Sequence, residues 1–156
     1  MVNANDILRR IRYTFNFSDS KMIEIFGMSG LQVTRAQISD WLKKDDDPAF
    51  LALDDYQFAI FLNGLINNNR GKKEGIQPIA EKRLNNNIGL RKLKIALNLK
   101  DDEILEILLL ADLRISKHEL SAFFRNPGQE QYRPCKDQIL RNFLHGMQIR
   151  YHDTLK

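Results

Sequence analysis

Cysteine is all but absent from this chain. The single Cys135 has no partner for an internal disulfide, which suits a reducing compartment. Long apolar runs are missing too: the longest, Ile104 to Leu113, is interrupted by Glu106 and Asp112 and reaches about half of the roughly 20 residues a membrane-spanning helix needs. Residues Met1 to Arg10 mix Asn3, Asn5, Asp6, Arg9 and Arg10 with few apolar side chains, so the apolar centre of a secretory signal is lacking. No stretch alternates apolar and polar residues, which leaves little room for β structure. These absences point to the cytosol and to helices. What is present is enough for a core: 43% of the 156 residues are hydrophobic and 28% charged, far from the composition of a disordered chain.

A shift of 82 positions lays residues 5–70 on 87–152 without a gap, with 13 identities in 66 pairs. Asn5 falls on Asn87, Leu8 on Leu90, Arg9 on Arg91, Asn16 on Asn98, Ile25 on Ile107, and Phe61, Leu62 and Gly64 on Phe143, Leu144 and Gly146. Conservative pairs such as Phe15/Leu97, Ile38/Leu120 and Trp41/Phe123 fill the intervals, so the chain is read as an internal duplication. Residues 1–70 form the first repeat, 71–86 a linker containing Gly, Pro and charges of both signs, and 87–156 the second.

Each repeat reads as four helices. Leu8, Ile11 and Phe15, and their counterparts Leu90, Leu93 and Leu97, recur at helical spacing. A second helix carries Met22, Ile25 and Phe26, or Ile104, Ile107 and Leu108, with Asp19 and Asp101 expected as N-caps. The third opens on a capping box in both copies, Thr34-Arg35-Ala36-Gln37 and Ser116-Lys117-His118-Glu119: the hydroxyl accepts from the third helical amide, and the Gln or Glu side chain accepts from the cap amide. The fourth runs through Phe58, Phe61, Leu62 and Leu65, or Leu140, Phe143, Leu144 and Met147. Gly64 and Gly146 inside it weaken the helix by about 1 kcal/mol relative to Ala, so their shared presence predicts a close helix crossing.

The strings Phe61-Leu62-Asn63-Gly64-Leu65-Ile66, Arg70-Gly71-Lys72, Asn85-Asn86-Asn87 and Leu90-Arg91-Lys92-Leu93-Lys94-Ile95-Ala96 resemble the YehS-like family of small bacterial proteins. So do Asn5-Asp6-Ile7-Leu8-Arg9 and Trp41-Leu42-Lys43-Lys44, and the likeness spans essentially the whole chain. It implies a bacterial cytosolic setting and a duplicated helical unit. The family is one of unknown function, and no catalytic residues carry over from it.

Familiar chemistries find little support. His118, His145 and His152 form neither an i, i+4 pair nor a Cys-x-x-Cys clip, so no zinc site is expected. Asp45-Asp46-Asp47 lacks the Gly and Glu of a calcium loop. Gly71-Lys72-Lys73 lacks the upstream glycine and following hydroxyl of a phosphate loop. Gln37 to Leu42 resembles the second helix of a helix-turn-helix, but the Met28 to Val33 interval is longer than the motif's turn, and Ile38, Trp41 and Leu42 read better as core. No cofactor and no catalytic residue are assigned.

Charge is the remaining signal. The formal net charge is +4, with the excess in the linker and second repeat. Both first helices carry a basic trio, Arg9-Arg10-Arg12 and Arg91-Lys92-Lys94, expected on the face away from the core. The resulting expectation is an all-α molecule of two tandem four-helix repeats, packed about a pseudo-twofold axis. Its expected role is a non-enzymatic binding or adaptor module. The alternative is a nucleic-acid-binding regulator using Arg9, Arg12, Arg70, Lys72, Lys73, Arg91 and Lys94 as phosphate contacts.

Overall fold

The computed structural model describes residues 1–153; the last three positions of the second repeat, 154–156, lie outside the described residues. Among the described residues every regular element is helical: α1 (Ala4–Phe15), α2 (Asp19–Met28), α3 (Arg35–Leu42), α4 (Asp55–Arg70), α5 (Asn86–Ala96), α6 (Asp101–Leu110), α7 (Lys117–Phe123) and α8 (Asp137–Tyr151). All eight helix starts repeat at the 82-residue offset, so the duplication seen in the residues is a duplication of structure. The residues between α4 and α5 form no helix. Among the described residues no helix is long and apolar enough to cross a membrane.

Local chemistry explains most helix starts. Both capping boxes form, at Thr34/Gln37 and Ser116/Glu119, and Asp54/Gln57 adds a third at the start of α4. One expectation is corrected: Asp19 and Asp101 are the first helical residues, not the caps. Ser18 caps α2 through its hydroxyl, which accepts from Lys21 N at 3.1 Å. At α6 the cap position holds Lys100, and Glu103 reaches back to accept from its amide at 3.0 Å. The two aspartates then favour their helices through the positive end of the backbone dipole.

The apolar faces meet in one core that includes Leu8, Ile11, Phe26, Trp41 and Phe61 from the first repeat and Leu90, Ile107 and Phe143 from the second. Trp41, Phe26 and Phe61 stack or tilt on one another at 5.1–5.2 Å. Gly64 and Gly146 are where α4 crosses α2 and α8 crosses α6. A Cβ at either would press into the backbone carbonyl of Ile25 or Ile107, and those two residues are themselves equivalent. The close crossing read from the sequence is therefore present in both copies.

The repeats are joined by exchanging neighbours. α1 packs mainly along α8, and α5 along α4, whereas α1 and α4, or α5 and α8, touch far less. Swapping the two repeats turns one of these pairings into the other, which is the pseudo-twofold relation. The N-terminal segment is tied down at this seam: Val2 N donates to Asn86 Oδ1 at 3.0 Å, and Asn86 Nδ2 donates to Asp137 Oδ1 at 2.7 Å. Its counterpart is Leu84 N, which donates to Asp55 Oδ2 at 2.8 Å.

Candidate functional site

The seven cations expected to meet phosphate are scattered, and most hold parts of the protein. Arg9 pairs with Asp6 and donates to the carbonyl of Lys43 at 2.8 Å, closing the end of α3. Arg91 does the same for α7, through the carbonyl of Phe124 at 3.3 Å. Lys94 lies 2.6 Å from Asp101 and over the Phe124 ring. Arg70 donates to Ile95 O at 3.2 Å and to Asn98 Oδ1 at 2.8 Å. Arg12 is half-buried, with its Nε enclosed and unbonded. Lys72 and Lys73, in the linker, are exposed. Nor are the basic trios simple outer faces: Lys92 is 8% exposed, with its Nζ 2.5 Å from Asn63 Oδ1 and 2.9 Å from Glu81 Oε1.

The structure instead gathers cations in the groove between α1 and α8. Two cavities lie along it. One of about 520 Å³ is lined by Asp6, Arg9, Arg10, Tyr13, Arg141 and Gln148 together with the apolar Val2 and Leu144. The other, about 440 Å³, is lined by Arg10, Gln138, Arg141, Asn142, His145 and Gln148. Arg10, Arg141 and Gln148 belong to both. Helical spacing explains the cluster on α8, since residues 138, 141, 142, 145 and 148 fall three or four apart on one face. Arg10 is held across the groove by Gln148 Oε1 at 2.9 Å, Gln138 donates to Asn142, and Arg141 is exposed, with its nearest carboxylate, Asp137, at 3.9 Å.

Of the seven expected cations only Arg9 lines this groove. The residues that sequence reasoning passed over, Arg141 above all, had a signal in the repeat alignment: Arg141 stands on Ala59, Asn142 on Ile60 and Gln148 on Ile66. Positions that match between the copies mark the shared scaffold, and positions that differ in polarity mark where the copies diverged.

Reactive groups are few. Cys135 is buried, and loss of hydration, reinforced by the charge of Asp137, pushes its thiol up to about 12, so it remains protonated and unreactive at neutral pH. Asn86, with help from the N-terminal ammonium and Arg141, holds the Asp137 carboxyl below the usual range. Among the described residues no group of three His, Cys, Asp or Glu side chains is placed to hold a metal ion, and the cavity that His145 lines has no carboxylate in its wall.

Residues 4–71 and 86–152 each match the family described as "Protein of unknown function (DUF1456)". The chain belongs to that family. It is 41% identical over 150 residues, 96% of each chain, to the uncharacterized protein YehS of Escherichia coli (strain K12). The two family segments coincide with α1–α4 and α5–α8, so the family unit is the four-helix repeat, present here twice. No solved structure matches the chain.

Proposed function

We propose that this protein is a non-enzymatic binding module that takes an anionic partner in the α1/α8 groove. The observation carrying this reading is the convergence of Arg10 and Arg141 with the side-chain amides of Gln138, Asn142 and Gln148 on two adjoining cavities. Guanidinium groups offer forked donors to carboxylate or phosphate oxygens, and amides add donors and acceptors that fix orientation. A concave site with a few converging polar groups is the usual form of a ligand site. The protonated thiol of Cys135 and the cavity wall without a carboxylate beside His145 favour binding over acid–base or thiol chemistry.

The test is a backbone amide NMR titration of the whole protein at low ionic strength with two polyanions in turn, poly-glutamate and oligothymidylate. With at least one of them, shifts are expected to concentrate at Arg10, Arg141, Gln148 and their neighbours. Shifts confined to the linker lysines, or to the far ends of α3 and α7, overturn the reading.

A further inference from the structure

The α1/α8 groove has a counterpart in the other half of the molecule, and there the groove is occupied by the protein's own linker. Gln77, Pro78 and Ala80 lie over Tyr56, Ile60 and Ile66 of α4, and a cavity of about 400 Å³ between them is closed by residues 28–31 at the end of α2. Ala80 and Leu84 pack on the core, and Leu84 is anchored through its amide to Asp55. Within this arrangement Glu81 reaches Lys92 with its carboxylate 2.9 Å from Nζ, while Asn63 holds the same ammonium at 2.5 Å. The linker thus lies as a non-helical segment in a helix–helix groove, presenting one carboxylate to one buried cation.

Shifting this site by 82 residues reaches the groove on the other side. Lys92 corresponds to Arg10 and Asn63 to His145, while Tyr56, Ile60 and Ile66 correspond to Gln138, Asn142 and Gln148. These five counterparts are five of the six residues lining the 440 Å³ cavity, and the sixth, Arg141, replaces Ala59. Beyond the Asn63 and Glu81 that meet its cation, the filled groove presents Tyr56, Ile60 and Ile66. The 440 Å³ cavity opposite is lined, among the described residues, by polar α1 and α8 side chains, with a second cation added.

From this correspondence we infer that the α1/α8 groove is the docking site for an extended acidic peptide segment of a partner protein, with a partner carboxylate on Arg10 in the place that Glu81 takes on Lys92. The inference rests on the groove being a binding site, as proposed above, and adds the class of occupant. Three features select a peptide over a nucleic acid. The related groove already holds peptide in this manner. The amides of Gln138, Asn142 and Gln148 match the donors and acceptors of an extended main chain. Finally, Arg9, the one expected phosphate contact that lines the groove, is engaged with Asp6 and with the carbonyl of Lys43, which leaves no run of free cations for a phosphate track.

The test is fluorescence anisotropy of the full-length protein with a labelled octapeptide of alternating glutamate and serine, set against oligothymidylate of comparable charge. The peptide is expected to bind more tightly. Arg10→Glu or Arg141→Glu is expected to weaken it by about tenfold or more, as charge reversal inside a contact does. Arg114→Glu, an equal change at an exposed position on the α6–α7 connection, is expected to leave affinity within about twofold, because exposed charges beyond a Debye length are screened. Arg10→Lys is expected to keep most of the affinity, since lysine fills this role at position 92. Fluorescence of buried Trp41 verifies that each variant is folded. If oligothymidylate binds more tightly and Arg10→Glu abolishes that binding, the groove stands and the peptide assignment falls. If neither probe binds, or Arg114→Glu is as damaging as Arg10→Glu, both readings fall.

Discussion

Asn5 and Asn87 are 2% and 5% exposed, and each is fully engaged with backbone. Asn5 Nδ2 donates to the carbonyls of Trp41 and Leu51, and its Oδ1 accepts from Leu53 N. Asn87 repeats the pattern on Phe123, Arg133 and Cys135. These clamps tie the end of the third helix, and the loop that follows it, to the start of the first. Removing one takes the partner from three backbone groups, two of them in buried hydrogen bonds, and a single buried group left unpaired costs about 1–3 kcal/mol. Asn87→Ala is expected to lower stability by about 2–4 kcal/mol in urea unfolding. Asn87→Asp should be no better, because a carboxylate has no N–H to offer the two carbonyls. A loss below about 0.5 kcal/mol, the range of neutral surface changes, would show that the clamp is dispensable. The sequence held half of this: Asn5/Asn87 was visible as an identity between repeats, but an asparagine at the first turn of a helix reads equally as a solvated cap. Burial against a distant loop is what distinguishes the two.

At the scale of elements, the glycine crossings decide how α4 lies on α2 and α8 on α6. Replacing Gly146 with Ala gains about 1 kcal/mol of helix propensity, yet it forces a methyl into the Ile107 carbonyl, a backbone atom that cannot rotate away. Overpacking of this kind costs about 1–3 kcal/mol, and the rigid neighbour places the cost at the upper end, so net destabilisation is expected for Gly146→Ala and equally for Gly64→Ala. Gly89 supplies the contrast. It lies within α5 and a Cβ there meets nothing within 4 Å, so Gly89→Ala should raise stability by up to about 1 kcal/mol. Urea midpoints of the three variants check both signs. Here the sequence was a good guide, because a glycine retained inside two aligned helices is a local cost with only a packing explanation. It was a poorer guide to the basic trios, where Lys92 is buried because the linker's Glu81 and α4's Asn63 meet it.

Across the whole molecule, the exchange of neighbours puts part of the stability into the seam between repeats. Asp137 sits at that seam, hydrogen-bonded to Asn86 and near the N-terminal ammonium, and its carboxyl is held below the usual range. A folded-state value depressed below the unfolded one contributes stability that is present above the ordinary carboxylate range and is lost as pH falls through the folded value. The protein should therefore lose stability as the pH falls from about 5 through the ordinary carboxylate range and below it, and Asp137→Asn should lose less over the same interval, since the amide cannot be protonated there. Equal losses in urea midpoint for the two proteins would remove Asp137 from the account. Glu103 belongs to the same acid-sensitive group, being lowered chiefly by its bond to the Lys100 amide and further by Arg150, and it is present in both proteins of the comparison.

The sequence by itself determined the helices, the capping boxes at Thr34 and Ser116, the duplication and the two close crossings. Each of these is encoded within a few residues or by direct comparison of the copies, and neither requires knowing what lies opposite. The tertiary structure decided the rest. It set α1 against α8 and α5 against α4, tied Arg9, Arg70 and Arg91 to protein carbonyls, and laid the linker in one of two equivalent grooves. Those outcomes depend on which faces meet across tens of residues of chain. The same cation position is consequently buried beneath a linker carboxylate at Lys92 and placed in a polar groove at Arg10.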